Sequence, residues 1–77
     1  MNLENAVGST IRNIRLSKNL YAKTVAAQVP MSPAYLCEIE KGFNLPSLAM
    51  ISDIAKGLDM SLPDLWLEIY KNLKGNE

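Results

Sequence analysis

The sequence predicts an all-α fold, a compact orthogonal bundle of five helices, and three observations lead there. Apolar residues recur at three- and four-residue spacing along successive stretches, while strand signals are weak throughout. Ser, Pro, Asn and Gly stand between these stretches where helices start or stop. The chain has 77 residues, 48% of them apolar, which is enough for one core and too much for disorder. No repeat, low-complexity run or long linker divides it, so residues 1–77 read as a single domain.

The first helix is expected from about Leu3 to Lys18, where Val7, Ile11 and Ile14 fall at i, i+4 and i+7 on one stripe. Asn19 follows as a residue suited to a left-handed helix stop. The second spans about Ala22 to Val29, with Val25, Ala26 and Val29 on one face, and Pro30 ends it by forcing Val29 away from α geometry. Ser32 and Pro33 give the third helix the clearest start in the chain. The Ser hydroxyl accepts an orphan backbone N–H, and Pro at the first helical position loses no hydrogen bond. Leu36 and Ile39 face inward, and Lys41-Gly42 closes the helix because Gly can take positive φ. Phe43 to Pro46 is a loop. Ser47 caps a fourth helix carrying Leu48, Ile51, Ile54, Ala55 and Leu58, and Ser61 caps a fifth from roughly Leu62 to Leu73. Pro63 lies in the first turn of the fifth helix, where Asp64 favours the positive dipole end.

Composition excludes several functions. With no His and one Cys there is no zinc site, haem ligand set, catalytic triad or internal disulfide, so neither metal nor cofactor is expected. No general base and nucleophile pair is visible, and the chain does not read as an enzyme. Cys37 reads as a small buried or half-buried side chain of a reduced, intracellular protein rather than a redox centre. The opening Met-Asn-Leu-Glu-Asn lacks the basic and apolar regions of a signal peptide, and nowhere do eighteen apolar residues stand together. A cytoplasmic protein without a membrane partner is expected. Eight basic and eight acidic residues cancel, which removes the bulk electrostatic sign of nucleic-acid binding.

Only Pro30-Met31-Ser32 separate helices two and three, the layout of a helix-turn-helix, in which the second helix can be presented outward to a groove. Ala26 lies where the two helices cross, and a larger side chain there would push them apart. Around this joint the sequence resembles the lambda repressor and Cro (XRE-like) family of helix-turn-helix DNA-binding domains. The matching residues are Ile11 to Arg15, Asn19-Leu20, Ala26, the run from Met31 to Gly42, Pro46 to Leu48, Ile54 to Leu58 and Ser61 to Trp66, covering roughly residues 7 to 67. The most specific stretch is Ser-Pro-x-Tyr-Leu-x-x-Ile-Glu-x-Gly, from Ser32 to Gly42. The resemblance implies a lambda-repressor-like five-helix domain that binds double-stranded DNA.

It also implies residue roles. Arg15 and Glu40 stand where the family places an internal ion pair, so they are expected to hold the fold rather than touch DNA. Base-edge contacts would come from Ser32, Pro33, Ala34 and Glu38, with Tyr35 and Lys41 beside them and Lys23 and Asn44 completing the DNA-facing set. As readers these are sparse, with no Arg for guanine and no Asn or Gln for adenine on the helix. Glu38 accepts only from cytosine N4 and repels phosphates, Pro33 and Ala34 suit thymine methyls, and Ser32 and the Tyr35 hydroxyl suit phosphates. The chain departs from the family at Tyr21-Ala22, where Thr-Gln is usual, and at Pro30, where Gly is usual. The fixed φ of Pro30 denies left-handed geometry, so the turn must differ locally.

Charge is unevenly placed. Residues 1–45 carry five basic and three acidic side chains, a balance of +2, and residues 46–77 carry the reverse, −2. The half with the helix-turn-helix is the basic half, although +2 is small beside the six to ten phosphate contacts of strong binders. Scattered solvated charge is the plainer reading of the same numbers. On the fifth helix, Leu62, Leu65, Trp66, Ile69, Tyr70 and Leu73 crowd together and some complete the core. Leu65 and Trp66 match the terminal hydrophobic pair of the family the chain resembles, and Ile69, Tyr70 and Leu73 extend beyond that pair. Trp66, Ile69, Tyr70 and Leu73 are expected to form a symmetric dimer interface. Packing of this stripe back onto Leu3 and Val7 is the alternative. A dimer would place two recognition helices about 34 Å apart, one turn of DNA. The function expected is a dimeric, sequence-specific transcriptional regulator. A protein–protein interaction module on the same fold, binding a partner regulator or toxin, is the reading from a different class.

Overall fold

The computed structural model describes residues 2–75. Its elements are α1 (Leu3–Ser17), α2 (Ala22–Ala26), α3 (Pro33–Glu40), α4 (Leu48–Gly57) and α5 (Leu62–Lys74), with no strand among the described residues. Serine hydroxyls cap three helix starts: Ser32 accepts from the Tyr35 N–H at 3.1 Å, Ser47 from Met50 at 3.2 Å and Ser61 from Asp64 at 3.2 Å. The Asn2 side chain does the same for α1, accepting from Asn5 at 2.8 Å.

Three helices end alike, each through one residue in left-handed backbone: Asn19 (φ 57°), Gly42 (φ 82°) and Asp59 (φ 59°). In each case the following N–H reaches back to the helix: Leu20 to the Arg15 carbonyl, Phe43 to Glu38 and Met60 to Ala55, all within 3.0 Å. These closures satisfy carbonyls that the helix leaves without a partner. The sequence marks Asn19 and Gly42 by residue type; Asp59 takes the same conformation, which Asp, like Asn, adopts more readily than most side chains do.

The second helix is shorter than expected. It stops at Ala26 rather than Val29, and residues 27–30 form turns. Gln28 and Val29 donate to Val25 and Ala26, three residues back, so the chain tightens instead of continuing as α-helix. The restriction that Pro30 places on Val29 accounts for the early end. Met31 N–H then donates to the Val29 carbonyl at 2.8 Å, closing a three-residue turn centred on Pro30. That turn suits a ring-fixed φ, and it replaces the glycine-based geometry usual in the family.

Helix α1 packs against α3 and α5, α2 against α3 and α4, and α4 against α5. Val7, Ile11, Val25, Leu36, Ile39, Ile54, Leu58 and Leu65 fill the centre and are fully buried. Ile69 joins them at 1% exposure, in the core cluster. The expectation that it belongs to an exposed interface stripe is therefore corrected: α5 packs on α1, and Ile69 falls on the same helical face as Leu65. Asn72, on that side too, donates to the Ser9 hydroxyl at 2.8 Å and the Thr10 hydroxyl at 3.1 Å.

Gly8 sets the distance between α1 and α3. A Cβ there would run into the Ile39 carbonyl oxygen and lie 2.9 Å from that of Glu40. Both obstacles are backbone and cannot swing aside. Ala gains helix propensity over Gly, but here overpacking outweighs it. Gly8→Ala is expected to lose about 2 kcal/mol, lowering the Tm by roughly 10 °C. An unchanged melting temperature would mean that α1 and α3 can separate without penalty.

Candidate nucleic-acid interface

Helix α3 has two distinct sides. Leu36, Ile39 and Glu40 are buried, and Tyr35 is half-buried against the core. Ser32, Pro33, Ala34, Glu38 and Lys41 are exposed, with Ala34, Glu38 and Lys41 at i, i+4 and i+7 on one outward stripe. Lys23 is exposed on α2. At its N-cap, Tyr21 makes no side-chain capping bond, as a residue without a short oxygen-bearing side chain must. Ser32 uses its oxygen as the α3 cap, which leaves the hydroxyl hydrogen free to donate outward.

Two of the predicted site residues meet. Asn44, in the loop after α3, donates from Nδ2 to Glu38 Oε2 at 3.0 Å. No periodicity links a helix residue to a loop residue six positions on, so sequence reasoning places both near DNA without pairing them. It also passes over Phe43, 72% exposed beside Asn44, because a lone aromatic in a loop carries no pattern. Tyr21 is equally exposed at the start of α2.

Behind the outward stripe lies the ion pair. Arg15 donates from Nε to Glu40 Oε2 at 2.7 Å and from Nη2 to Oε1 at 2.9 Å, a two-pronged bond, while Nη1 donates to the Leu20 carbonyl at 2.7 Å. The Glu40 side chain is 3% exposed and that of Arg15 11%. Hydrogen bonding to Glu40 raises the Arg15 pKa above its usual value and outweighs the opposing effect of burial. As far as titration of the guanidinium itself goes, this contribution is present below its unfolded pKa and is lost as pH climbs through the raised folded one, far into alkali.

A second surface lies on α5. With Ile69 in the core and Leu73 half-buried, the exposed apolar face is Trp66 (45%), Leu67 and Tyr70 (52%), together with Pro63 one turn earlier. Leu67 belongs to this face although the sequence reading leaves it out. Beside it, Leu48, Leu62, Pro63 and Trp66 line an apolar groove of about 460 Å³ between α4 and α5. Trp66, Leu67 and Tyr70 extend the apolar side of α5 beyond Leu65 and Ile69, which face the core. The surplus is exposed. Among the described residues no helix is long and apolar enough to cross a membrane.

A family model described as helix-turn-helix matches residues 11–65, most of the chain. Among solved structures, the clp gene regulator ClgR from Corynebacterium glutamicum is similar in two crystal structures. One has a TM-score of 0.90 and 25% identity, covering 99% of this chain and 81% of that one. The other has a TM-score of 0.84 and 27% identity, covering 91% of both chains. No curated protein sequence matches the chain.

The bond from Arg15 to Glu40 makes a specific demand on stability. Removing the carboxylate leaves a guanidinium enclosed without its counter-charge. Glu40→Ala is expected to cost about 3 kcal/mol or more, seen as a sharp drop in melting temperature by circular dichroism. A wild-type melting point would mean that the pair does not hold the helices together.

Proposed function

The chain belongs to the XRE-type helix-turn-helix family of DNA-binding transcription regulators, and on that premise we propose that it acts as a cytoplasmic dimer on a pseudo-palindromic operator. It is not an enzyme by this reading but a repressor, a Cro-like switch or a small controller protein. The observation that carries the proposal is the two-sidedness of α3. Ala34, Glu38 and Lys41 face outward from a helix whose other side is fixed by Leu36, Ile39 and the Arg15 bond to Glu40. The structural likeness to ClgR, named as a gene regulator, supports the same reading.

In this proposal Ala34, Pro33 and Glu38 meet base edges, while Ser32, Tyr35, Lys23, Lys41 and Asn44 position the protein along phosphates and in the groove. Dimerisation is assigned to the exposed face of α5, now Trp66, Leu67 and Tyr70 with Leu73 at its margin, and to the groove beside Leu48. Joining two copies adds the phosphate contacts of two basic halves, which matters for a chain of zero net charge. A protein-interaction role on the same fold is favoured by one observation, the exposed Tyr21 at a position where the family's phosphate-bonding pair is missing.

Two measurements test the proposal. Shift assays against the DNA flanking the gene are expected to reveal one preferred site, with a log–log salt slope of a few units. No preference and no slope would leave the interaction-module reading in its place. In sedimentation, the wild type is expected to run as a dimer and Tyr70→Glu as a monomer, because a carboxylate would be buried unpaired at the interface. An unchanged dimer mass in the variant would remove α5 from that interface.

A further inference from the structure

We infer that Glu38, held in place by Asn44, selects a cytosine at one position of each operator half-site. This rests on the DNA-binding reading above and adds to it which base is chosen and by what. Glu38 is exposed on the outward stripe of α3, one turn beyond Ala34, whose single methyl leaves the approach to the carboxylate open. Asn44 donates to Oε2 at 3.0 Å. A carboxylate has about four acceptor positions, so the bond to Asn44 leaves Oε1 and part of Oε2 for an external donor.

A carboxylate donates nothing, so the base it faces must present a donor in the major groove. Guanine offers O6 and N7, and thymine offers O4, so each would set lone pairs against lone pairs. Adenine offers N6–H beside the N7 acceptor, a donor–acceptor pair that matches an amide rather than a carboxylate. Cytosine offers N4–H₂ alone. Rejection supplies much of the discrimination, because a carboxylate pressed against the wrong base loses its water without gaining a partner. Asn44 is the positioning residue. Its amide restricts where the carboxylate can go before DNA arrives, and a fixed acceptor cannot turn aside to accommodate a mismatch.

Selection of bound duplexes from a randomised pool tests this with the whole chain as wild type, Glu38→Gln and Asn44→Ala. Both positions are accessible to solvent and neither is in the core, and thermal melts verify that each variant folds. The wild type is expected to enrich a half-site with one C·G pair favoured by about tenfold or more over the other pairs at that position. Glu38→Gln is expected to convert that position to A·T, or to lose preference there, with the remaining positions unchanged. Asn44→Ala is expected to retain cytosine at that position with several-fold weaker discrimination, the base preferences at the other positions being unchanged. An enriched site that is identical for wild type and Glu38→Gln overturns the inference while leaving DNA recognition intact. Discrimination unchanged in Asn44→Ala overturns the positioning role. No enriched sequence from the wild type overturns both this inference and the reading beneath it.

Discussion

The guanidinium of Arg15 holds three parts of the chain at once, and the orientation of the recognition helix depends on it. Two of its donors grip Glu40 at the end of α3, and a third holds the Leu20 carbonyl just before α2 begins. A point charge could bridge two of these groups, but the planar fork fixes their angles as well. The pair is nearly enclosed, so its net contribution comes from geometry that recovers the energy of desolvation. Gly8 lets α1 approach close enough for the bond to form, because its missing side chain lets the helix backbone lie against the carbonyls of Ile39 and Glu40. Close approach and ion pair are two halves of one joint.

That joint also changes the meaning of the neutral charge. Of the five cations in residues 1–45, Arg15 is engaged internally, and Lys18 donates to the Leu58 carbonyl at 2.6 Å, bracing the end of α4. Arg12, Lys23 and Lys41 remain as exposed cations of that half. Three cations per copy make a weak electrostatic hold by the standard of tight binders. Shape, the few outward residues of α3 and, in the dimer proposed above, the pairing of two copies would then carry more of the affinity than charge does.

Much of the architecture was legible because it is written in local chemistry. Ser32, Ser47 and Ser61 announce helix starts by the same hydroxyl-to-backbone bond, and Asn19 and Gly42 announce stops by tolerance of left-handed backbone. What was hidden depends on partners far along the chain or on residues used against type. Asp59 adopts positive φ without being a residue that advertises it strongly. Gly8 looks like a flaw in a helix until α3 is seen against it. Ile69 could not be divided between core and surface without knowing that α5 lies on α1. At the site, the outward residues of α3 follow from helical periodicity, whereas the bond from Asn44 to Glu38 depends on where a loop returns.

The contact between α1 and α5 has a consequence for the order in which the protein becomes competent. During synthesis α1 emerges first, but Leu65, Ile69 and Asn72, which cover its flank, follow some fifty residues or more later. The helix-turn-helix segment is therefore complete in sequence before it is complete in structure. A nascent chain can carry every outward residue of α3 and still lack the packing of α5 on α1 that completes the core. Because α5 also bears the exposed Trp66 and Tyr70, the same late segment finishes the core and exposes the surface assigned to pairing. Completion of the core thus waits on α5, which is made after the residues of α2 and α3.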